Sequence, residues 1–220
     1  MTLSLDLGSH ALQLCPERAV FWPAQSCVLV ADVHLGKDQV FRQQGLAVPA
    51  GVLKADLLRL SALLETTGAE RLIVLGDWVH APPQPDDQWP EEIRAWRDDH
   101  QSLSLELVQG NHDRALAPWL SYWQMTDHLY RLELDGLTLV HEWDEQLSGP
   151  SISGHLHPGA VIRTGHERLR LPAFLRGGNH LVLPAFGRFT GLMNYPAFPT
   201  EKTWAIAGDE VIALPVGKRA

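Results

Sequence analysis

Three apolar, β-branched runs alternate with two helical segments in the first half of the chain, and this order is the strongest indication of the fold. The runs are residues 26–32 (SCVLVAD), 70–77 (ERLIVLGD) and 103–113 (LSLELVQGNHD), each typical of a buried strand. Residues 49–68 have helical apolar spacing after a proline, and residues 87–101 have a proline near a helix start. Strand, helix, strand, helix, strand predicts a parallel sheet with right-handed crossovers.

The second half of the chain changes to closely spaced short strands. From about residue 130, apolar runs such as LTLVHE, AVIRT and KTWAIAG are separated by Gly and Pro, which favours hairpins and an antiparallel half. The chain has 220 residues, 45% of them hydrophobic, and is long enough for one substantial core. Because no repeat, linker or low-complexity tract divides it, we predict a single domain over residues 1–220.

Side chains that can bind metals follow each buried run of the first half. Asp32 and His34 end the first run, and Asp77 ends the second. In open parallel sheets ligands bind beyond the carboxyl ends of the strands, so we expect these side chains to line one rim. Asp-x-His and His-x-His each place two such residues two positions apart, which in an extended segment points both to one face. Further candidates come from the third run and the later strands: Asn111, His112, Asp113, His141, His155 and His157.

Each of these residues alone has an ordinary structural explanation. An Asp at a strand end is often a helix cap, Gly-Asp is a common turn, and a lone His141 is more often a hydrogen-bonded core residue. Together, five histidines, three aspartates and an asparagine at strand ends or glycine turns would be costly to bury without a cation. The set therefore predicts a metal site.

The ordered motif set is similar to that of the calcineurin-like metallophosphoesterases. The matching residues, in order, are Asp32-x-His34, Gly76-Asp77, Gly110-Asn111-His112-Asp113, His141 and Gly154-His155-x-His157. Stretches such as ADVHLGKDQVFRQQGLAVPAG and LPAFGRFTGL resemble the ligase-associated DNA-damage-response endonuclease branch, nearly end to end. The resemblance implies an α/β fold, a four-layer α/β/β/α sandwich with parallel or mixed sheets and the helices outside.

The resemblance also implies a two-metal centre. Asp77 would bridge two ligand sets: Asp32, His34 and His157 for the first ion, and Asn111, His141 and His155 for the second. His112 would act near the leaving group as acid or charge stabiliser, oriented by Asp113. The nitrogen and oxygen donors without thiolate favour two Mn²⁺ ions, with Fe or Zn²⁺ as alternatives, over an all-oxygen Mg²⁺ site.

Other polar residues have two interpretations each. Lys37 and Arg42 are candidates for contact with substrate phosphate or for a solvated helix, and His80 for lining the site or fixing its loop. Five arginines and one acid between Arg163 and Arg188 form either a phosphate-binding face or a dispersed set. The eight tryptophans favour packing over base stacking. Histidines that match no ligand motif are interpreted as structural or exposed: His10, His100, His128, His166 and His180.

We predict a metal-dependent phosphodiesterase and, from the resemblance, a DNA-repair nuclease acting on single-stranded DNA with an ATP-dependent DNA ligase or helicase as partner. The alternatives are a phosphodiesterase or pyrophosphatase acting on nucleotides or cyclic nucleotides, and a non-catalytic metal-binding scaffold. The formal charge of −8 provides no general attraction for nucleic acid. Cys15 and Cys27 are expected to be buried free thiols, and with no signal peptide or long apolar run we expect a cytoplasmic protein.

Overall fold

The structure is a computed structural model that describes residues 1–164, 167–194 and 197–215. His166, interpreted above as structural or exposed, lies outside these residues. Val216, at the end of the last apolar run, also lies outside them. No helix among the described residues has the length and apolar composition needed to cross a membrane.

The first sheet has seven strands, which lie side by side in chain order. They are β1 (Leu3–Leu7), β2 (His10–Cys15), β3 (Ala19–Trp22), β4 (Cys27–Val30), β5 (Arg71–Leu75), β6 (Ser104–Val108) and β7 (Thr126–Asp127). The predicted parallel pairing is confirmed for β4, β5 and β6. Strands β1 to β3 extend the sheet in antiparallel fashion and were not predicted. The alternating leucines at positions 3, 5 and 7 are the signal that indicates β1.

The second sheet has eight strands, with β11 pairing only β12 and the others in the order β15-β14-β12-β13-β10-β9-β8. They are β8 (Arg131–Leu134), β9 (Leu137–Val140), β10 (Ser151–Ser153), β11 (Gly159–Thr164), β12 (Glu167–Gly177), β13 (His180–Val182), β14 (Lys202–Ala207) and β15 (Glu210–Leu214). Most neighbours are antiparallel, as predicted, but β10 is parallel to both β9 and β13. The hairpin prediction is wrong for these pairs because residues 141–150 join β9 to β10, and residues 154–179, which include β11 and β12, join β10 to β13. One of these connections begins with His141 and the other contains His155 and His157.

Four helices lie between the strands of the first half: α1 (Lys37–Gln43), α2 (Val52–Thr67), α3 (Trp89–Asp99) and α4 (Ala117–Tyr122). Helices α2 and α3 match the predicted helical segments, whereas α1 and α4 are too short to show a clear apolar period. The buried leucines of α2, such as Leu60, pack with Ile93 and with Val74 on one face of the first sheet. Ile73, the residue before Val74, belongs to a second apolar cluster on the opposite face. Because β5 is buried on both faces, its sequence is apolar throughout.

The second apolar cluster lies between the two sheets and joins both halves of the chain. It contains Leu29 and Ile73 from the first sheet, and Leu139 and Phe174 from the second. The α/β class with two stacked sheets and outer helices is confirmed, but the fourth layer is not a helix layer. No described residue after Tyr122 is helical, and a small cluster that includes Val182 and Phe198 belongs to the second sheet and its loops instead.

Candidate metal centre

The turns that carry the predicted ligands have an unusual backbone. Asp32 (φ 54°), His34 (φ 51°), His155 (φ 67°) and His157 (φ 42°) all adopt left-handed conformations, as does Asp77 (φ 53°). The expected extended geometry is therefore wrong for both the Asp-x-His and the His-x-His pair. A non-glycine residue in this region costs on the order of 1 kcal/mol, and such strain concentrates at functional sites.

The first group of side chains gathers Asp32, His34, Asp77 and His157 at the carboxyl ends of β4 and β5. One ligand atom from each lies within 4.8 Å of the others. His157 Nε2 is 3.3 Å from Asp32 Oδ1, and His34 Nε2 is 3.7 Å from Asp77 Oδ2. Backbone hydrogen bonds hold the two turns together, since the Asp32 and His34 amides donate to the carbonyls of Gly76 and Asp77.

The second group gathers Asp77, His141 and His155, again with ligand atoms within 4.8 Å of one another. His141 Nε2 lies 3.7 Å from Asp77 Oδ1, 3.0 Å from His155 Nδ1 and 3.2 Å from Asn111 Oδ1. The other ring nitrogen of His141 donates to the Leu75 carbonyl at 2.8 Å, which directs the Nε2 lone pair toward this group. Asp77 thus belongs to both groups, and His155 and His157 face different groups. Their assignment as ligands of two ions stays a prediction.

Three glycines allow the ligand turns to approach one another closely. A Cβ added to Gly76 would lie 2.1 Å from His141 Nδ1, and one added to Gly110 would lie 2.3 Å from Asp77 Oδ1. A Cβ on Gly154 would lie 2.4 Å from the Ala31 Cβ and 2.8 Å from Asp32 Oδ2. At each of these three positions any side chain larger than hydrogen would clash with a residue of the centre or with the Ala31 side chain beside it.

The charges and unpaired atoms of the first group fit a metal ion. Asp32 is fully buried, and its Oδ1 has no hydrogen-bond donor among the described residues. Burying an ionised carboxylate without compensation costs several kcal/mol. His34 does not supply the missing charge, because burial, reinforced by the neighbouring His157, lowers the pKa of His34 to about 2. A divalent cation would satisfy the carboxylate oxygen and the neutral imidazole lone pairs together.

His112 lies beside the first group, but its orientation differs from the prediction. Its Nδ1 donates to the His80 carbonyl at 2.6 Å, so the prediction that Asp113 orients His112 is wrong. Asp113 is fully buried and accepts hydrogen bonds from the backbone amides of Asp77, Trp78 and Gly110 at 2.7 to 3.0 Å. Burial raises the pKa of Asp113 to about 6, against the effect of these bonds. Asp113 follows His112 in sequence, yet the tight turn points it inward, where it supports the Asp77 turn.

Of the predicted substrate-binding residues, His80 and Lys37 lie close to the centre, whereas Arg42 pairs within its own helix. His80 lines the centre: its ring stacks on His112 at a centroid distance of 5.2 Å, and His34, His80 and His112 form a third cluster of ring nitrogens. Burial lowers the pKa of His80 to about 4, and burial also lowers the pKa of Lys37, which lies close enough to Asp77 to interact with its charge. Arg42 instead pairs with Asp38 on its own helix and donates to the Pro49 carbonyl.

Two phenylalanine rings beside His80 were not predicted from the sequence. The Phe41 ring lies 5.7 Å from that of His80 and 5.6 Å from that of Phe189. Phe189 belongs to the LPAFGRFTGL stretch, which carries no ligand. Only the long-range pairing of this stretch with the Asp32 turn, where the Phe186 amide donates to the Ala31 carbonyl, brings it to the site.

The described histidines without a ligand motif have structural surroundings, as predicted. His180 is buried between the hydroxyls of Ser151 and Ser153, and burial lowers its pKa to about 4. His128 pairs with Glu106, and the Nδ1 of His100 contacts the Trp96 carbonyl. His10 packs edge-on against Trp22. The tryptophans are mostly buried packing residues, which agrees with the sequence reading. Cys15 and Cys27 are free and buried, and burial raises the pKa of each thiol to about 12.

Comparison with known proteins gives a strong structural match to a nuclease. No family model matches the sequence, and no curated protein sequence matches it significantly. The crystal structure of a Pseudomonas putida nuclease, MPE, is 32% identical, covers 97% of this chain and 100% of its own, and superposes with a TM-score of 0.83.

Two more distant structures superpose less well. The phosphoesterase YfcE from E. coli is 13% identical over 87% of this chain and 99% of its own, with a TM-score of 0.45. A protein of unknown function from Aquifex aeolicus, AQ665, is 18% identical over 60% of this chain and 78% of its own, with a TM-score of 0.42.

Proposed function

The chain belongs to the calcineurin-like metallophosphoesterase superfamily, in its nuclease branch, and on this premise we propose that it is a two-metal phosphodiesterase that cleaves DNA. It is a metal-dependent phosphoesterase. We propose in addition that it binds two ions, cleaves DNA and acts in DNA repair. The matching nuclease supports a nucleic acid as the substrate, because the similarity covers nearly the whole of both chains, and DNA in particular is implied by the resemblance described above.

The observation that carries the proposal is the position of Asp77 between two groups of ligand atoms. Its Oδ2 faces His34 and its Oδ1 faces His141, so the two carboxylate oxygens point to different groups. This is the arrangement that a bridging ligand needs, because each oxygen can then bind a different ion. A single-ion site would leave one of the groups without a cation.

The ions, when bound, supply positive charge against the phosphate and lower the pKa of water. The protein side chains hold and orient the reacting groups around them. His112 donates through Nδ1 to the His80 carbonyl, which leaves Nε2 on the side of Asp77, 3.9 Å from Oδ2. From there Nε2 can hold a proton and donate it to the departing oxygen. Lys37 offers an ammonium group for a phosphate oxygen at the edge of the same centre.

We further propose Mn²⁺ as the metal, a role in DNA repair and an ATP-dependent ligase or helicase as partner. The mixed nitrogen and oxygen donors support Mn²⁺, Fe or Zn²⁺ over Mg²⁺. The repair role and the partner depend only on the resemblance described above. Delivery of the strand by a partner would offset the acidic character of the chain, whose net charge is −8.

The first experiment tests the bridging carboxylate. Purified protein is assayed with Mn²⁺ on bis(4-nitrophenyl) phosphate, and Asp77→Asn is expected to lower kcat by more than the roughly 100-fold that loss of a supporting residue costs. The matched control is Asp135→Asn, because Asp135 also has a left-handed backbone (φ 51°) but lies in an exposed turn. If the Asp77 variant retains wild-type activity, the two-metal assignment is wrong.

The second experiment tests the substrate class. Metal analysis is expected to find two divalent ions per chain, and the native metal is then used with single-stranded DNA, a cyclic nucleotide and an aryl monoester. Faster turnover of single-stranded DNA and diesters than of the monoester supports the proposal. Preference for the monoester would contradict it.

A further inference from the structure

Strands β11 and β12 form an arm that continues directly from the metal centre. Strand β11 begins at Gly159, two residues after His157. The part of β12 from Glu167 to Pro172 pairs with β11, whereas the part from Ala173 onward pairs with β14 in the second sheet. The outer part of this hairpin therefore extends beyond the sheet as a two-stranded ribbon.

The register of the hairpin places its three arginines on one face. Arg163 lies directly opposite Arg168, and Arg170 lies opposite Val161. Because side chains alternate along a strand, Arg163, Arg168 and Arg170 share a face, which we call the arginine face. All three are exposed. The opposite face is apolar and packs with the second sheet through residues that include Ala160, Ile162 and Leu171.

Repulsion between the charges of the arginine face lowers the stability of the hairpin when no anion is bound. Like charges directly opposite each other destabilise a strand pair, and the side chains of Arg163 and Arg168 start only about 5 Å apart. Arg168 and Arg170, two residues apart on β12, are separated by about 7 Å. This concentration of positive charge contrasts with a chain whose net charge is −8. A polyanion bound along the face would remove the repulsion.

Arg170 connects the arginine face to the metal centre. A Cβ built on Gly159 would lie 3.0 Å from Arg170 Nε, so the Arg170 side chain crosses the backbone just after the His157 turn. Its Nη2 donates to Asn194 Oδ1 at 3.1 Å, which holds the guanidinium at the base of the hairpin. A chain of phosphates that follows the arginine face from Arg163 to Arg170 therefore runs toward Gly159, two residues after His157.

We propose that the arginine face binds the sugar–phosphate backbone of single-stranded DNA and leads it to the metal centre. The inference rests on the proposed function and names the surface through which the polymer substrate is recognised. A single strand fits better than a duplex, because the three arginine side chains start within about 10 Å of one another on two adjacent strands, a patch that covers only a short length of one backbone. Such contacts recognise the backbone and are independent of base sequence.

The test measures DNA binding separately from cleavage. Asp77→Asn protein with the native divalent ion binds a fluorescently labelled single-stranded oligonucleotide, and anisotropy gives the Kd between 50 and 200 mM salt. The hairpin variant combines Arg163→Gln, Arg168→Gln and Arg170→Gln. The matched control removes three exposed positive charges elsewhere, with Lys54→Gln, Arg131→Gln and Lys202→Gln.

The expected result is a change in salt dependence confined to the hairpin variant. Loss of three phosphate contacts lowers the slope of log K against log salt by about 2, so over this range wild-type affinity falls about 20-fold more than that of the variant. Arginine-to-lysine changes at the same three positions restore most of the affinity, because lysine also binds phosphate as a point charge.

Two results would overturn the inference. One is equal salt dependence in the hairpin and control variants, and the other is tighter binding of a duplex of the same sequence. The proposed function fails by a different readout, namely no hydrolysis of bis(4-nitrophenyl) phosphate or DNA by the wild-type protein. The two failures are therefore distinguishable.

Discussion

Gly154→Ala tests whether close approach of the ligand turns is what assembles the centre. Gly154 lies between the end of β10 and His155, and its φ is not in the left-handed region, so alanine introduces no backbone strain there. The added methyl group alone is responsible for any effect. It would meet the Ala31 Cβ at 2.4 Å, the Asp32 Oδ2 at 2.8 Å and the Leu75 carbonyl at 3.2 Å.

The expected loss of stability and of catalytic rate follows from these distances. Carbon atoms in contact are normally about 3.5–4.0 Å apart, so the turn must move by about 1 Å or more. Its surroundings resist this movement, since the Gly154 amide donates to the His141 carbonyl and the His155 amide to Asp32 Oδ2. Overpacking of this kind costs about 1–3 kcal/mol in stability. A 1 Å misplacement of catalytic groups costs about 100-fold in rate.

The assay combines urea unfolding, metal analysis and kcat on bis(4-nitrophenyl) phosphate. The control is Gly191→Ala, since a Cβ at Gly191 has no neighbour within 4 Å among the described residues and its φ is also unstrained. We expect the control to match the wild type and the Gly154 variant to lose metal and activity. A Gly154 variant that binds metal and turns over at the wild-type rate would refute the steric reasoning.

Three further predictions concern stability. Leu60→Ala should lower the free energy of unfolding by about 2–5 kcal/mol, because Leu60 is fully buried. By contrast, Leu58→Ala on the exposed side of the same helix should change it by less than about 0.5 kcal/mol. Arg59→Met should cost about 3–5 kcal/mol in urea unfolding, because it leaves the buried Asp56 carboxylate without its 2.7 Å partner, and a near-neutral result would contradict this. Because burial lowers the pKa of His180 to about 4, the unfolded state binds the extra proton between about pH 6.5 and 4 and stability falls as the pH falls through this window. His180→Gln should flatten that part of the stability profile, and an unchanged slope would count against it.

Local patterns in the sequence account for much of the fold and for the composition of the candidate site. The apolar β-branched run around β5 predicts a strand buried on both faces, and Val74 and Ile73 occupy the two apolar clusters. The leucine spacing of α2 likewise predicts a helix with one buried side. The order of Asp, His and Asn motifs identified the residues that the structure brings together around Asp77.

The features of the site that were not predicted from the sequence depend on contacts between residues distant in sequence. Asp113 adjoins His112, yet its partners are the amides of the Asp77 turn, and no local pattern indicates which way a buried carboxylate points. Phe189 reaches the site only because its segment pairs with the Asp32 turn. Arg42 follows the first ligands closely but pairs within its own helix.

The amino-acid sequence is enough to indicate the chemistry of this protein, because side-chain type and apolar periodicity are local properties that each segment carries alone. It therefore specified buried strands, two of the helices and an oxygen and nitrogen donor set without thiolate. Contacts between segments set the left-handed turns, the sharing of Asp77 between two groups and the grouping of three arginines on one face of the hairpin that follows His157. These features arise from packing between distant segments, where a glycine without a Cβ or a strand register brings groups within a few ångströms.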